Sequence, residues 1–132
     1  MFRGLVLGIA LVAGTVGMSG SASAFDFSFQ WGSIPKCTTG RPGRVPSPVF
    51  KLRNVPKGTA TIRFDMKDLA VPTYAHGGGT VKYAGKKTIG AGAFKYNSPC
   101  PPGGSHPYQW TAVAKDKSGK KLATATAKRK YP

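Results

Sequence analysis

The sequence predicts an all-β, β-dominated fold with little helix. Its 132 residues include 18 glycines and 11 prolines, and these divide the chain into short segments. No long segment has apolar residues at helical spacing. Several short runs instead alternate apolar and polar side chains, as strands with one buried face do.

The clearest strand is predicted at residues 59–64, where Ala60, Ile62 and Phe64 fall on one face. The aromatic side chains that alternate within the strands are expected in the core rather than on a binding surface. Long loops are predicted at 65–79 and 90–104. The remaining predicted strands are 27–31, 49–52, 108–114 and 122–128, together with a hairpin that joins 80–83 to 87–89.

The N-terminal segment has the features of a cleavable signal peptide. Arg3 precedes a compact apolar run at residues 5–12, and Ala22-Ser23-Ala24 fits the small-x-small cleavage pattern. An uncleaved membrane anchor is the alternative, but the run is short and rich in glycine for a membrane span. We expect residues 1–24 to be removed after Ala24 and residues 25–132 to form one periplasmic or secreted domain.

Export gives the two cysteines a specific meaning. Cys37 and Cys100 are an even pair, and an even count in an oxidising compartment indicates a disulfide. A thiol nucleophile or a metal site is the alternative, but there is no CxxC spacing. The sequence therefore predicts a single structural bridge.

The chain is strongly basic, with 20 Lys and Arg against 4 acidic residues and a formal charge of +16. This charge can serve solubility, or it can attract phospholipid headgroups, cell-wall polymers or nucleic acid. The basic residues are spread along the chain, which favours general adhesion to anions over sequence-specific readout of nucleic acid.

The candidate binding residues begin with the two histidines, His76 and His106, which both fall in predicted loops. Asp65 and Asp68 follow the clearest strand, where a sheet delivers side chains to its rim. Imidazoles close to carboxylates can bind phosphate in a pH-dependent way, although a single loop histidine is more often an ordinary surface residue.

Enzymatic chemistry has little support in the sequence. The glycines at 77–79 lack the Gly-Lys-Ser/Thr of a phosphate-binding P-loop and are expected to provide flexibility. No Ser/His/Asp set has a nucleophile elbow. A zinc site built from His76, His106 and an aspartate fits no standard spacing. We therefore expect a protein that is not an enzyme and needs no cofactor or metal.

One segment resembles a known family. Cys100-Pro101-Pro102 followed by His106-Pro107-Tyr108 resembles the Cys-Pro-Pro…His-Arg-Tyr signature of the phosphatidylethanolamine-binding proteins, the bacterial Raf-kinase-inhibitor-like proteins. The similarity extends in order over about 37–131. Further matching segments are the Ser-Pro at 47–48, the Val-Pro-Lys-Gly-Thr at 55–59, the aromatic strand ending in aspartate at 109–116, and the last strand at 122–131.

The resemblance implies a β-sandwich with a small rim pocket for anions such as phosphate groups. The family builds this pocket from an Asp-Pro-Asp-Ala-Pro loop, a histidine after it, and the histidine and tyrosine of the signature. His76, His106 and Tyr108 match those positions, and Asp65 and Asp68 take the acidic ones.

The departures from the family pattern concern both pocket and core. Pro107 replaces the signature arginine, Lys67 enters the acidic loop, and glycines at 77–79 replace an aromatic. A tight turn at 117–120 replaces helical material.

We expect an exported binding protein with a small anion pocket for a phosphate-type ligand or phospholipid headgroup. The alternative is a cationic envelope or surface-adhesion protein that binds anionic lipid or polymer by charge.

Overall fold

The computed structural model describes residues 23–132 and the isolated Gly14, so the predicted signal peptide lies almost wholly outside the described residues. Residues 23–132 contain nine strands and no helix, and no described helix could cross a membrane. The strands are β1 (Asp26–Phe29), β2 (Arg44–Pro46), β3 (Phe50–Arg53), β4 (Thr61–Asp68), β5 (Gly78–Lys82), β6 (Thr88–Ile89), β7 (Lys95–Asn97), β8 (His106–Lys115) and β9 (Lys121–Tyr131).

The strands form a large antiparallel sheet of four strands in the order β5-β4-β8-β9. A smaller antiparallel sheet has the order β1-β3-β6, and β2 pairs with β7. The predicted all-β class is confirmed. The β4–β8 register places Asp68 opposite Tyr108, which brings the end of β4 beside the start of β8.

The core lies between the large sheet and the β1-β3-β6 sheet. Phe64 of β4 stacks on Phe50 of β3 with ring centroids 4.1 Å apart, and Trp110 of β8 meets Phe50 edge-on at 5.3 Å. All three side chains are fully buried, and each contributes roughly 1.5–3 kcal/mol or more through burial. The two layers are therefore joined by aromatic packing, as the alternation in the strands predicts.

The predicted hairpin between 80–83 and 87–89 is wrong. β5 pairs with β4 of the large sheet, whereas β6 pairs with β3 of the small sheet. The intervening segment therefore crosses from one layer to the other. Local turn residues resemble those of a hairpin, but the partner of each short strand is set by packing far away in the sequence.

The predicted loops also contain ordered strand. β4 continues through Asp68 instead of ending at Phe64, and β7 lies within the predicted loop at 90–104. Asp65 pairs with both β5 and β8, and Met66, Lys67 and Asp68 pair with β8, so the β4–β8 ladder carries the strand through this more polar half.

The glycines at 77–79 serve close packing as well as turning. A Cβ atom on Gly78 would lie 1.7 Å from the carbonyl oxygen of Phe64, and one on Gly79 would lie 2.4 Å from Cγ of Phe94. Gly77 has a φ of 77°, in the left-handed region. The expectation of simple flexibility is wrong, because side chains at 78 and 79 would prevent β5 from reaching β4 and Phe94.

Candidate functional site

The site is organised by Asp68, the last residue of β4. The alternation that buries Phe64 and Met66 continues to position 68, so a carboxylate is placed on the core side of the sheet. Only 6% of its side chain is exposed. A buried carboxylate must be compensated by hydrogen bonds, and two are present. Oδ2 lies 2.8 Å from His106 Nδ1, and Oδ1 accepts the Ala70 N–H at 2.8 Å.

These contacts decide the ionisation of Asp68. Burial opposes the charged form, but the hydrogen bonds from His106 and the Ala70 N–H outweigh it, so the pKa of Asp68 lies below its usual value. An ionised carboxylate can only accept hydrogen bonds, and His106 Nδ1 is therefore the protonated donor of the pair. The ring nitrogen Nε2 of His106 makes no hydrogen bond to any of residues 23–132.

His106 is the first residue of β8 and the most accessible member of the cluster, with 23% of its side chain exposed. Pro107 follows it where the resemblance implies arginine. The Pro107 carbonyl accepts the Leu69 N–H at 2.9 Å and so joins the start of β8 to the segment after Asp68. The imidazole is thus fixed through one nitrogen while its other nitrogen stays available.

Tyr108 and His76 form the buried side of the cluster. The Tyr108 ring centroid lies 5.5 Å from that of His76, edge-on, and 6.4 Å from that of His106. Burial, with the negative charge of Asp68, raises the pKa of Tyr108, so its hydroxyl remains protonated and can donate a hydrogen bond.

His76 is 2% exposed and is held by β7. Its Nδ1–H donates to the Asn97 carbonyl at 2.8 Å, and its own carbonyl accepts the Asn97 N–H at 2.8 Å. Burial lowers the pKa of His76, so its imidazole is neutral at pH 7. In this state His76 shapes the site rather than supplying positive charge.

Asp65 is not part of this cluster. It lies three positions before Asp68 and therefore faces the opposite side of the sheet, where it is exposed. Its carboxylate accepts two hydrogen bonds from Arg63, at 3.1 Å to Nε and 2.9 Å to Nη2. The structure thus brings together Asp68, His76, His106 and Tyr108 of the five residues that the sequence suggested.

The disulfide supports the same end of the sandwich. Cys37 and Cys100 are bonded, as predicted. The Cys37 N–H donates to the Tyr131 hydroxyl at 3.0 Å, and Tyr131 pairs with His106 in the β8–β9 register. The bridge is thereby connected to the strand ends beside His106.

Sequence reasoning missed two residues of this region, Tyr74 and Tyr131. The Tyr74 ring meets that of His76 edge-on at a centroid distance of 4.6 Å and is 39% exposed. The position of Tyr74 two residues before His76 in a predicted loop was a usable signal, because binding residues concentrate on loops. The sequence contained no such signal for Tyr131, because the position of Tyr131 in the fold depends on pairing between distant strands.

A groove of about 440 Å³ lies beside the cluster, since Trp31 of its lining meets the Tyr108 ring edge-on at a centroid distance of 5.7 Å. Its lining includes Trp31, Ile34 and Val49 with Lys51 and Arg129 at its margin, and none of the five suggested site residues. The hydrogen-bonded cluster and this cavity are therefore separate features. Among residues 23–132, no three His, Cys, Asp or Glu side chains are grouped so as to hold a metal ion.

Comparison with solved structures identifies the fold. A homologue of the phosphatidylethanolamine-binding protein from Chlamydia trachomatis has a TM-score of 0.59 and 21% identity, covering 83% of this chain and 97% of that chain. Escherichia coli YbcL, described as a member of the mammalian phosphatidylethanolamine-binding family, has a TM-score of 0.59 and 17% identity, covering 83% and 98%. No family model and no curated protein matches the sequence.

The chain therefore has a divergent phosphatidylethanolamine-binding-protein fold. This confirms the sequence resemblance at the level of architecture. The described residues include no helix, which is consistent with the shortened turn at 117–120.

Proposed function

We propose that this protein is a non-enzymatic binding protein that takes a phosphate-type anion at the rim formed by Asp68, His106 and Tyr108. The 2.8 Å contact between Asp68 Oδ2 and His106 Nδ1 supports the proposal most directly. It fixes the imidazole and leaves Nε2 to donate to an anion once the ring is protonated. Tyr108, which is 1% exposed, forms the buried wall behind this imidazole.

The electrostatics of the chain favour the same ligand class. The negative charge of Asp68 offsets the positive charge of a protonated His106, so the rim by itself attracts an anion only modestly. The net charge of +16 raises the concentration of anions around the whole molecule. We also propose that the protein acts in the periplasm or outside the cell, and N-terminal sequencing of the mature protein would test cleavage after Ala24.

Phosphate binding measured by calorimetry tests the proposal. We expect millimolar binding, in which the imidazole donates from Nδ1 to Asp68 and from Nε2 to the anion. His106→Gln should weaken binding roughly tenfold, since a hydrogen bond to a charged group is lost. Lys95→Gln, an exposed cation on β7, is the control. Equal weakening in the two variants would show that general charge, not the rim, binds phosphate.

A second candidate function is adhesion to anionic surfaces through charge. One observation favours it independently of the rim. Three of the four acidic side chains pair with basic ones, Asp26 with Arg53, Asp65 with Arg63 and Asp68 with His106. The fourth, Asp116, accepts hydrogen bonds within its own turn. Most lysines therefore have no carboxylate partner within the protein.

A further inference from the structure

The large sheet has one face toward the core and one face outward. Because side chains alternate, the registers of the four strands place every second residue of β4, β5, β8 and β9 on the outer face, and a register shift near the start of β9 sets Lys121 opposite Lys115 on this face. We call this surface the cationic face. Its basic members are Arg63 and Lys67 of β4, Lys82 of β5, Lys115 of β8, and Lys121, Lys128 and Lys130 of β9.

Asp65 is the single acidic side chain on the cationic face, and its charge is already paired with Arg63. The six lysines make no ion pair with any residue of the described chain. The remaining carboxylates lie on β1, at the core side of β4 and in the turn after β8. The face thus holds six unpaired positive charges.

The cationic face is open to solvent in the part of the chain that the structure describes. Lys67, Lys82, Lys121, Lys128 and Lys130 are all exposed. Threonine hydroxyls lie among the lysines, and those of Thr80, Thr124 and Thr126 are also at exposed positions. Like charges on one face repel each other and add no stability to the monomer. Their concentration there therefore favours a role in binding an anionic partner.

We propose that the cationic face is a docking surface for an anionic phospholipid bilayer. This inference rests on the second candidate function, adhesion by charge, and gives that function a location. The lysines are distributed over all four strands, from Lys82 at one edge to Lys130 at the other. A two-dimensional array of point charges matches the two-dimensional array of headgroup phosphates.

The same residues argue against nucleic acid as the partner. No aromatic side chain lies on the cationic face, so it offers no platform for base stacking. The one guanidinium, that of Arg63, uses Nε and Nη2 for Asp65 and has no free fork for a base edge. A linear polyanion would also contact only a stripe of the face.

Vesicle sedimentation provides the test, with full-length mature protein and vesicles that contain phosphatidylglycerol. The face variant replaces Lys82, Lys121 and Lys128 by Gln. The matched control replaces Lys36, Lys51 and Lys95 by Gln, and so removes the same charge from exposed positions off the face. Each surface lysine contributes about fivefold to binding of an anionic bilayer, so the face variant should bind roughly 100-fold more weakly. The control should change far less.

Several results would overturn the proposal. Equal losses in the face variant and the control would show that charge acts without a defined surface. Absence of binding by the unaltered protein at low salt, or binding to a DNA duplex but not to the vesicles, would exclude the bilayer as partner. If the face variant does not fold, the triplet Lys67→Gln, Lys115→Gln and Lys130→Gln tests the same face.

The rim and the cationic face can be tested separately. His106→Gln should bind vesicles as the unaltered protein does, because His106 is not on the cationic face. The face variant should retain phosphate binding at the rim. Loss of vesicle binding in His106→Gln would overturn the docking proposal, whereas loss of phosphate binding alone would concern only the rim.

Discussion

His106 and Asp68 are 38 residues apart in the sequence, yet His106 Nδ1 lies 2.8 Å from Asp68 Oδ2. The antiparallel pairing of β4 with β8 produces this contact, since Asp68 is opposite Tyr108 and His106 lies two residues before Tyr108 on β8. The carboxylate is almost completely buried and the imidazole is partly exposed. One ring nitrogen is thus committed to the fold and the other can bind a ligand.

Asp68→Asn should destabilise the fold by roughly 1–3 kcal/mol at neutral pH, because the amide keeps one acceptor oxygen and puts a donor NH2 in place of the other, so the hydrogen bond from His106 or from the Ala70 N–H is lost. Urea unfolding measures the change. Asp65→Asn is the matched control, and we expect less than about 1 kcal/mol because the Asp65–Arg63 pair is exposed.

The pH dependence of this difference follows from the pKa of Asp68, which is lower in the folded protein than the ordinary 3.8. The stability that ionised Asp68 contributes is present above pH 3.8 and is lost as the pH falls through the lower folded value. The gap between Asp68→Asn and the unaltered protein should therefore narrow only in acid. A gap that already closes near neutral pH would contradict the assignment.

His76 predicts a second, separate pH effect. Its folded pKa is depressed by burial below the ordinary 6.5, so stability is greatest above pH 6.5 and falls as protons bind preferentially to the unfolded chain. Thermal unfolding of the unaltered protein should show this loss on acidification below pH 6.5. In His76→Gln this loss of stability below pH 6.5 should be absent. The variant should nevertheless be less stable at all pH values, because the hydrogen bond to Asn97 is altered. An identical pH profile in both proteins would refute the buried neutral state.

Gly78→Ala tests the close approach of β5 to β4. The new Cβ would meet the Phe64 carbonyl oxygen at 1.7 Å, and backbone of a central strand cannot move aside cheaply. We expect a loss of roughly 2–4 kcal/mol by urea unfolding. Gly90→Ala is the control, because a Cβ there has no neighbour within 4 Å, and it should change stability by less than about 0.5 kcal/mol. Similar values for both variants would show that β5 does not pack as described.

Removing the disulfide by Cys37→Ser with Cys100→Ser should reduce stability by about 4 kcal/mol in the chain-entropy model, since the bridge joins residues 63 positions apart. Urea unfolding of the double variant and of the oxidised unaltered protein measures this loss. The reduced unaltered protein is the control, and its stability should agree closely with that of the double variant. A double variant as stable as the oxidised protein would show that the bridge does not constrain the unfolded chain.

The sequence was most informative where local pattern and tertiary environment agree. The alternation around Ile62 and Phe64 predicted a strand with a buried aromatic face, and the structure has both. The cysteine pair and the two histidines with Tyr108 could be selected by residue type and by resemblance. The sequence alone did not show whether Asp65 or Asp68 belongs to the site. That choice depends on how far β4 extends, because the alternation must continue to Asp68 before it shows which carboxylate faces the core.

Other features could not be predicted because they depend on distant pairing. Gly78 approaches Phe64 and Gly79 approaches Phe94, and these close contacts allow β5 to pair with β4. The run of glycines in the sequence indicated only flexibility. Tyr131 reaches the Cys37 backbone only because β9 pairs with β8 along its whole length. The cationic face likewise appears only when four registers are combined, since the lysines are dispersed in the sequence.

Nitrogen NMR of the histidine side chains during a phosphate titration tests most directly whether Asp68 orients His106 for an anion. We predict that the Nε2 resonance of His106 shifts at millimolar phosphate, while Nδ1, bonded to Asp68, moves much less. Asp68→Asn should reduce the shift. An unchanged Nε2 resonance of His106 at saturating phosphate would contradict the account.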